Sequence, residues 1–357
     1  MMRKLRDASS PARLIALAFA LALCFLAWRS PSLSREETAL YTRIQAAQNL
    51  LWTAMEQRGQ TDPVNDPDHC GFIGLDWSET STTLGNLKAK RNACDPLWGA
   101  IALRWFDQLG LAEGDRIVVL SSSSFPGLLY SVLAAAESRG LHVALVVSLG
   151  SSAWGANRPE APWPVMARIL SSHGFLNTRP AFYTLGGNDE IGKDMPEDGL
   201  RLLTAAALAD GVELYRPRSL AEVIDRKMAL IDPPGGDRAK LVINIGGAHS
   251  SLGTDDRVIG LSSGLLPGGP EPQAGNGLIA KVLELGLPVA HFLNLRALAE
   301  RMGISYEHRR PFTARGSAWP PAIGLVLFLL VLATHQRWSW DTATTVSSSP
   351  APIPAKK

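Results

Sequence analysis

The sequence predicts an α/β fold with a mostly parallel β-sheet that is covered by helices on both faces. Two observations lead to this prediction. Several short runs of consecutive apolar residues read as strands buried on both sides, such as RIVVL at 116–120 and LVINI at 241–245. These runs alternate with helix-like segments of roughly 10 to 15 residues, which is typical of βαβ units. Apolar residues make up 46% of the 357 residues, enough for a large core.

The elements are predicted in chain order. An amphipathic helix is expected over 34–58, where Ser34 and Glu37 form a capping box. A short strand at 72–76, a loop over 77–91 that is rich in hydroxyls and then cations, and a helix at 96–109 follow. Beyond them we expect strands at 116–120, 142–150, 181–187, 212–215, 241–247 and 287–295, with helices at 126–140, 164–174, 196–210, 219–230, 276–286 and up to 303.

Two uncharged apolar segments, 14–28 and 322–334, lie near the ends of the chain. Basic residues precede the first, and tryptophans flank the second, as at membrane interfaces. With neighbouring residues each approaches the roughly 20 residues that cross a bilayer. The alternatives are a cleaved signal peptide for the first and a buried core helix for the second. We predict two spans in the cytoplasmic (inner) membrane, with both termini cytoplasmic and the main domain outside.

This gives a domain plan with one large folded part. The predicted segments are a cytoplasmic N-terminus at 1–13, a transmembrane anchor at 14–30, an amphipathic helix and linker at 31–70, the α/β domain at 71–308, a linker at 309–318, a second transmembrane helix at 319–335 and a disordered tail at 336–357.

Composition and motifs exclude several function classes. The net charge is +2 and no basic run is interleaved with aromatics, so nucleic-acid binding is not expected. The chain has no GxSxG, P-loop, GxGxxG or HExxH motif. We therefore predict no cofactor and no metal, because Asp189, His249, Asp255 and Asp256 lack the spacing of metal ligands. Cys70 and Cys94 are a candidate disulfide in an oxidising compartment, or two unrelated buried thiols.

The predicted strands end in small polar residues. Ligands of open parallel sheets bind at the carboxyl ends of the strands, where helix N-termini favour anions. We therefore predict a rim that binds carboxylates or phosphates, although these residues also fit helix caps, turns and a solvated helix face. The candidate ligand-binding residues are Ser121, Ser122, Ser123, Ser124, Ser151, Ser152, Asn157, Gly186, Gly187, Asn188, Gly246, Gly247, Ser250, Lys88 and Arg91.

The same rim offers a catalytic alternative. Ser123 or Ser124 would be the nucleophile, His249 or His291 the base, and Asp189 the group that orients the histidine. Triads are recognised by geometry, and spacing alone does not establish one.

Six segments, in this order, resemble the poly-gamma-glutamate system protein family: 81–91, 121–135, 148–157, 184–192, 244–253 and 288–299. The resemblance implies a membrane-anchored component of the machinery that makes or exports poly-gamma-glutamate, alongside a ligase and small membrane subunits that this chain does not resemble. It supplies no catalytic residues. The first hypothesis is thus an accessory protein that binds an anionic glutamyl ligand. The alternatives are a serine-dependent hydrolase or transferase acting on gamma-glutamyl amides, or a scaffold for partner subunits.

Overall fold

The computed structural model describes residues 15, 17–23, 33–307 and 322–330. The chain divides into two compact units, Arg35–Pro311 and a second unit made of Met1–Ser34 and Phe312–Lys357. Within the second unit, residues 17–23 and 322–330 are helical. Among the described residues, no helix combines the length and the apolar character that a bilayer crossing requires. The predicted spans 14–30 and 319–335 lie partly outside the described residues, and the segments 1–13 and 336–357 lie wholly outside them.

The larger unit alternates strands and helices, as predicted. Its helices are α1 (Arg35–Glu56), α2 (Leu87–Ala93), α3 (Leu97–Gln108), α4 (Pro126–Ser138), α5 (Trp163–Ser172), α6 (Glu197–Asp210), α7 (Leu220–Ile231), α8 (His249–Leu252), α9 (Leu278–Glu284) and α10 (Leu295–Met302). Its strands are β1 (Ser81–Thr83), β2 (Arg116–Ser122), β3 (His142–Ser148), β4 (Ser151–Ser152), β5 (Pro180–Thr184), β6 (Leu241–Ile245), β7 (Gly264–Leu266) and β8 (Val289–Phe292).

The central sheet has six strands in the order β5-β3-β2-β6-β8-β7. Every pair is parallel except β7 with β8, so the prediction of a mostly parallel sheet is confirmed. Within this sheet, the chain first forms β2, then adds β3 and β5 on one side of it, and then forms β6 on the other side. The carboxyl ends of β2 and β6 therefore flank a topological switch point, where open α/β sheets bind their ligands.

Both faces of the sheet are buried, which explains the unbroken apolar strands. On one face, Ile117 and Val119 of β2 pack in a cluster with Trp98 of α3 and Leu128 of α4. Ile44 of α1 belongs to the same cluster, so this helix is part of the larger unit. On the other face, the alternate residues of β2 pack against α7 and α9.

Some predicted elements differ in the structure. Residues 72–76 form no strand: the amide of Gly74 donates to the carbonyl of Trp154, and the amide of Leu75 to the Asn157 side chain. The predicted strand 212–215 contributes a single bridge from Leu214 to Tyr183. The predicted loop 77–91 contains β1 and most of α2, and β7 was not predicted. The elements that the sequence did not indicate, β1, α2 and β7, have only three to seven residues, which is too short for sequence periodicity to reveal them.

Candidate functional site

A cleft of about 470 Å³ opens at the switch point. The loops after β2 and β6 form its centre, and the loops after β3 and β5 extend it. The segment before β2, from β1 into α2, contributes a further wall. The cleft is lined by residues within 82–90, 122–125, 148–152, 186–194 and 247–253, together with Leu293. The rim predicted from the strand ends therefore corresponds to a real concavity.

Lys90 of α2 is a buried lysine that lines the cleft. Its Nζ donates to the carbonyl of Ser124 at 2.5 Å and to Oγ of Ser152 at 2.7 Å, and it lies 3.7 Å from the centre of the Phe125 ring. Among the described residues, no carboxylate forms an ion pair with it. Because burial disfavours the charged ammonium, the pKa of Lys90 falls from 10.5 to about 7.

A second buried lysine, Lys227 of α7, has its charge balanced by a buried carboxylate. Its Nζ lies 2.6 Å from Oε1 of Glu190, and both side chains are buried. Glu190 also accepts hydrogen bonds from the hydroxyls of Ser148, Thr184 and Ser250. Burial alone would raise the pKa of Glu190, but Lys227 and the hydroxyls outweigh it and lower the pKa to about 2. This network joins α7 and α8 to the loop after β5.

The loop after β5 holds an unusual backbone. Gly186, Gly187, Asp189 and Glu190 all have positive φ angles, of 76°, 65°, 55° and 61°. For the two non-glycine residues this conformation costs on the order of 1–3 kcal/mol each, so other contacts must hold it. The buried side-chain contacts of Glu190 supply that restraint. The amide of Asp189 donates to Nδ1 of His249 at 2.9 Å, which leaves the proton of the neutral imidazole on Nε2.

Gly246, which directly follows β6, must lack a side chain for a steric reason. Gly246 has φ 85°, and a Cβ built on it would lie 2.3 Å from Oγ of Ser122. Asn244 supports the turn by donating to the Gly246 carbonyl at 2.9 Å. The turn thus needs a residue without a side chain so that β6 can pass close to the end of β2.

The loop after β2 leads directly into α4, a helix of 13 residues. Its N-cap residue Phe125 lines the cleft and makes no side-chain cap. Its first residue, Pro126, has no amide hydrogen, so the helix contributes to this edge the partial positive charge of its N-terminus. Ser122, which also lines the cleft, is 7% exposed, and its Oγ has no hydrogen-bond partner among the described residues. This edge of the cleft therefore offers a hydroxyl donor and a partial positive charge.

The structure gathers about half of the predicted site residues at the cleft and places others behind it. The residues that line it are Ser122, Ser124, Ser152, Gly186, Gly187, Asn188, Gly247 and His249. Asp189 forms an ion pair with Lys193 beside it. The buried residues that do not line it are Ser121, Ser123, Ser151, Asn157, Gly246 and Ser250.

Three predicted residues lie elsewhere. Lys88 forms an exposed ion pair with Glu307, and Arg91 donates to the carbonyls of Val64 and Asn65. His291 lies within β8, fully buried in the sheet, where its Nδ1 is 3.1 Å from the Asn244 amide nitrogen. Burial lowers the pKa of His291 to about 4. No hydrogen bond among the described residues connects a serine of 121–124 to His249 or His291, so the predicted Ser–His pairs are not formed.

The two cysteines of the larger unit are neighbours. Cys70 and Cys94 are both buried free thiols. Burial raises the pKa of the Cys70 thiol, and the adjacent Cys94 and Asp66 raise it further. Their pairing as a disulfide stays a prediction.

Within the described part of the chain, no group of three or more His, Cys, Asp or Glu side chains could hold a metal ion. Comparison of the chain with protein-family models, with curated proteins and with solved structures finds no match. The resemblance to the poly-gamma-glutamate system family, noted from the sequence, therefore stays a prediction.

Proposed function

We propose that this chain is an accessory component of poly-gamma-glutamate synthesis or export, and that its cleft binds an anionic glutamyl group. The observation that carries the ligand class is Lys90. A lysine buried without a carboxylate partner is costly to a folded protein, and such groups concentrate at functional sites. A carboxylate of the ligand would supply the missing counter-charge and draw Lys90 back to its charged form.

The surroundings of Lys90 support a carboxylate ligand. Phe125, whose ring contacts the Lys90 ammonium, is also the N-cap of α4, so the positive helix end lies beside the lysine. The unpartnered hydroxyl of Ser122 lies at the same edge. Hydrogen bonds with an ionised donor or acceptor are roughly twice as strong as neutral ones. A single carboxylate should therefore bind more strongly at this edge than a neutral group.

The charge balance of the cleft favours a chain end over a long polyanion. The charge of Glu190 is balanced by Lys227, which leaves Lys90 and Asp194 as the other Lys, Arg, Asp or Glu side chains among the described residues that line the cleft. Asp194 accepts the Asn188 amide through Oδ1. The amino-terminal end of a γ-linked glutamyl chain carries an ammonium group beside its α-carboxylate and complements both charges. A tract of many carboxylates would find a single unpaired cation.

The test is a calorimetric titration of the full chain, in mild detergent, with γ-linked di- and triglutamate. We expect weak binding that decreases at higher salt, since surface and rim electrostatics are screened. The Lys90→Met variant should bind at least tenfold more weakly. The matched control is Lys88→Met, in the same helix but paired with Glu307 on the surface, which should bind like the wild type. Equal binding of the corresponding γ-linked isoglutamine oligomers, in which every free carboxylate is converted to a carboxamide, would contradict the proposal.

The proposed localisation rests on the two apolar terminal segments with their basic and tryptophan flanks. In this proposal they are transmembrane helices that flank the α/β unit at the cytoplasmic membrane, with the main domain outside and with other subunits of the pathway as partners. Reporter fusions test it: fusions at both termini should report the cytoplasm and one placed before residue 34 the outside. Release of the chain by alkaline extraction of membranes would contradict anchoring.

A further inference from the structure

Lys90 and Ser152 form a close pair at the cleft. Nζ of Lys90 lies 2.7 Å from Oγ of Ser152, and both residues line the cavity. Their side chains come from elements far apart in sequence, α2 and β4. The contact between β1 and β4 joins these two regions, since Ser81 and Thr83 pair with Ser151 and Ser152. The hydroxyl and the amine thus meet through the fold and not through local spacing.

We propose that Ser152 is a nucleophile and Lys90 its general base, and that the pair cleaves or transfers a carboxylate-bearing amide or ester bound in the cleft. The glutamyl identity of the substrate rests on the proposed function, whereas the reaction itself does not. Ser–Lys pairs are an established alternative to Ser–His catalysis on unrelated folds.

The environment suits Lys90 to the role of a base. Burial lowers its pKa to about 7, so near neutral pH a large fraction of the lysine is uncharged and able to accept a proton. In the described chain no carboxylate pairs with it. A ligand carboxylate that pairs with Lys90 holds the ammonium charged and makes that complex unreactive, so the reaction requires the substrate carboxylate to bind at the Ser122 edge of the cleft instead. The carbonyl of Ser124 accepts a second Lys90 hydrogen bond at 2.5 Å, which fixes the amine in place.

Ser152 is also fixed in position. Its amide donates to Oγ of Ser124 at 3.0 Å, and its carbonyl accepts the hydroxyl of Ser151 at 2.9 Å. The Ser152 residue is 7% exposed, and it lies at the wall of the cleft. In the same cleft, the Ser122 hydroxyl has no partner among the described residues and is the kind of donor that stabilises a developing oxyanion.

The reaction balances with water as the second substrate. Oγ of Ser152 attacks the carbonyl carbon, a C–O bond forms, and the hydroxyl proton moves to Nζ of Lys90. The tetrahedral intermediate collapses, the C–N or C–O bond to the leaving group breaks, and Lys90 returns the proton to that group. Water, deprotonated by Lys90, then attacks the acyl-serine, and the proton passes to Oγ of Ser152 as the acid is released. An amine in place of water gives transfer.

The test is labelling of the full chain with a fluorophosphonate, read out by intact mass and by peptide mapping. We expect one adduct, on Ser152, that forms faster as pH rises through about 7. The Ser152→Ala and Lys90→Met variants should lose at least about 100-fold in labelling rate, the scale of a lost general base. The controls are Ser171→Ala, an exposed serine of α5, and Lys88→Met. Release of p-nitroaniline from γ-glutamyl-p-nitroanilide gives a second readout with the same expectation.

The wild-type protein alone can overturn the proposal, so the result does not depend on how the variants fold. No adduct, or an adduct on a serine other than Ser152, contradicts it. Ligand binding distinguishes this failure from failure of the proposed function. Ser152→Ala keeps Lys90 and should still bind γ-linked diglutamate. If the wild type binds diglutamate but is not labelled, the reaction is rejected and the binding function stands. If Ser152 is labelled but no glutamyl ligand binds, the reaction stands and the glutamyl function is rejected.

Discussion

Two buried lysines have opposite electrostatic environments in this molecule. Lys227 donates to the buried carboxylate of Glu190, and the charges cancel. Lys90 donates to a carbonyl and a hydroxyl and has no such carboxylate in the described chain. The first arrangement holds loops together. The second leaves a group whose charge state depends on what enters the cleft.

Lys90 should give the folded protein a distinct pH dependence. Because its folded pKa of about 7 lies below the ordinary 10.5, the unfolded chain holds a proton between these values that the folded protein lacks. Stability should therefore rise with pH across this window, by up to about 1.4 kcal/mol per pH unit, and be lost as pH falls toward 7. Urea unfolding of wild type and Lys90→Met from pH 7 to 9 measures the difference. Parallel stability curves for the two proteins would contradict the burial of this amine.

The Glu190–Lys227 pair should show the cost of a broken buried ion pair. Lys227→Met leaves a buried carboxylate unpaired, and we expect a loss of about 3–5 kcal/mol in the free energy of unfolding. The double variant Glu190→Gln/Lys227→Met removes both charges and should recover part of it. In the wild type, the contribution of Glu190 is present above its ordinary pKa of 4.5 and is lost as pH falls toward 2. A double-mutant cycle with no coupling would refute this account.

The two buried lysines could be found in the sequence by their helical spacing. Lys227 lies with Val223, Ile224 and Ile231 on the buried face of α7. Lys90 lies three residues after Leu87 and three before Ala93, on the inward face of α2. The candidate ligand residues included Lys88 and Arg91 but not Lys90, because residues 77–91 were interpreted as a loop, and a loop gives no reason to separate these three cations. Glu190 carried no such signal, because it follows a strand in a glycine-rich turn.

At the scale of the elements, the cleft depends on how the strands end. Each parallel strand must turn into its helix at the same edge, and the turn after β6 does so next to the turn after β2. Gly246 takes a positive φ there and leaves room for the Ser122 hydroxyl. The glycine pair 246–247 therefore has unequal members, since only Gly246 requires a left-handed backbone.

This inequality predicts different effects of two neighbouring substitutions. Gly246→Ala forces a Cβ into a left-handed backbone and against Ser122, and we expect a loss of about 1–3 kcal/mol in stability. Gly247→Ala places its Cβ at ordinary contact distances, 3.4 Å from Leu252 and 3.6 Å from Leu293, so its stability should change by less than about 1 kcal/mol. Thermal melting of both variants is the measurement. Equal destabilisation would mean that the turn is not shaped as described.

The main strands could be predicted because burial on both faces leaves a continuous apolar run, as in β2 and β6. The edge of the cleft formed by β1 and β4 could not. These strands have three and two residues, all serine or threonine, and they are held by tertiary contacts. Their pairing brings Lys90 to Ser152, so this contact depends on the least predictable part of the fold.

At the scale of the whole larger unit, the strand order decides where the cleft lies. The reversal from β5 to β6 places the cleft beyond the carboxyl ends of the paired strands β2 and β6, and the segment before β2 adds a wall to it. Cys94 follows α2, the helix that carries Lys90, and Cys70 lies in the segment after α1. A bond between them would tie the wall of the cleft to the N-terminal part of the unit.

We expect Cys70 and Cys94 to be paired in protein isolated from an oxidising compartment. On the chain-entropy model, the disulfide should stabilise the fold by about 3–4 kcal/mol. Alkylation under denaturing conditions with and without a reductant, followed by mass spectrometry, counts the thiols. Pairing adds two reactive thiols on reduction, and melting of the reduced protein should occur at a lower temperature. Alkylation of both cysteines without reductant would exclude the pair.

The central claim is that Lys90 is a buried amine whose positive charge is balanced by a carboxylate of the ligand. The most direct measurement is a pH titration of the Lys90 side chain by NMR in isotopically labelled full-length protein, with the resonance assigned from Lys90→Met. Without ligand, the midpoint should lie near 7, and saturating γ-linked diglutamate should move it upward. A midpoint near the ordinary 10.5 in the free protein, or one that the ligand leaves unchanged, would contradict the account.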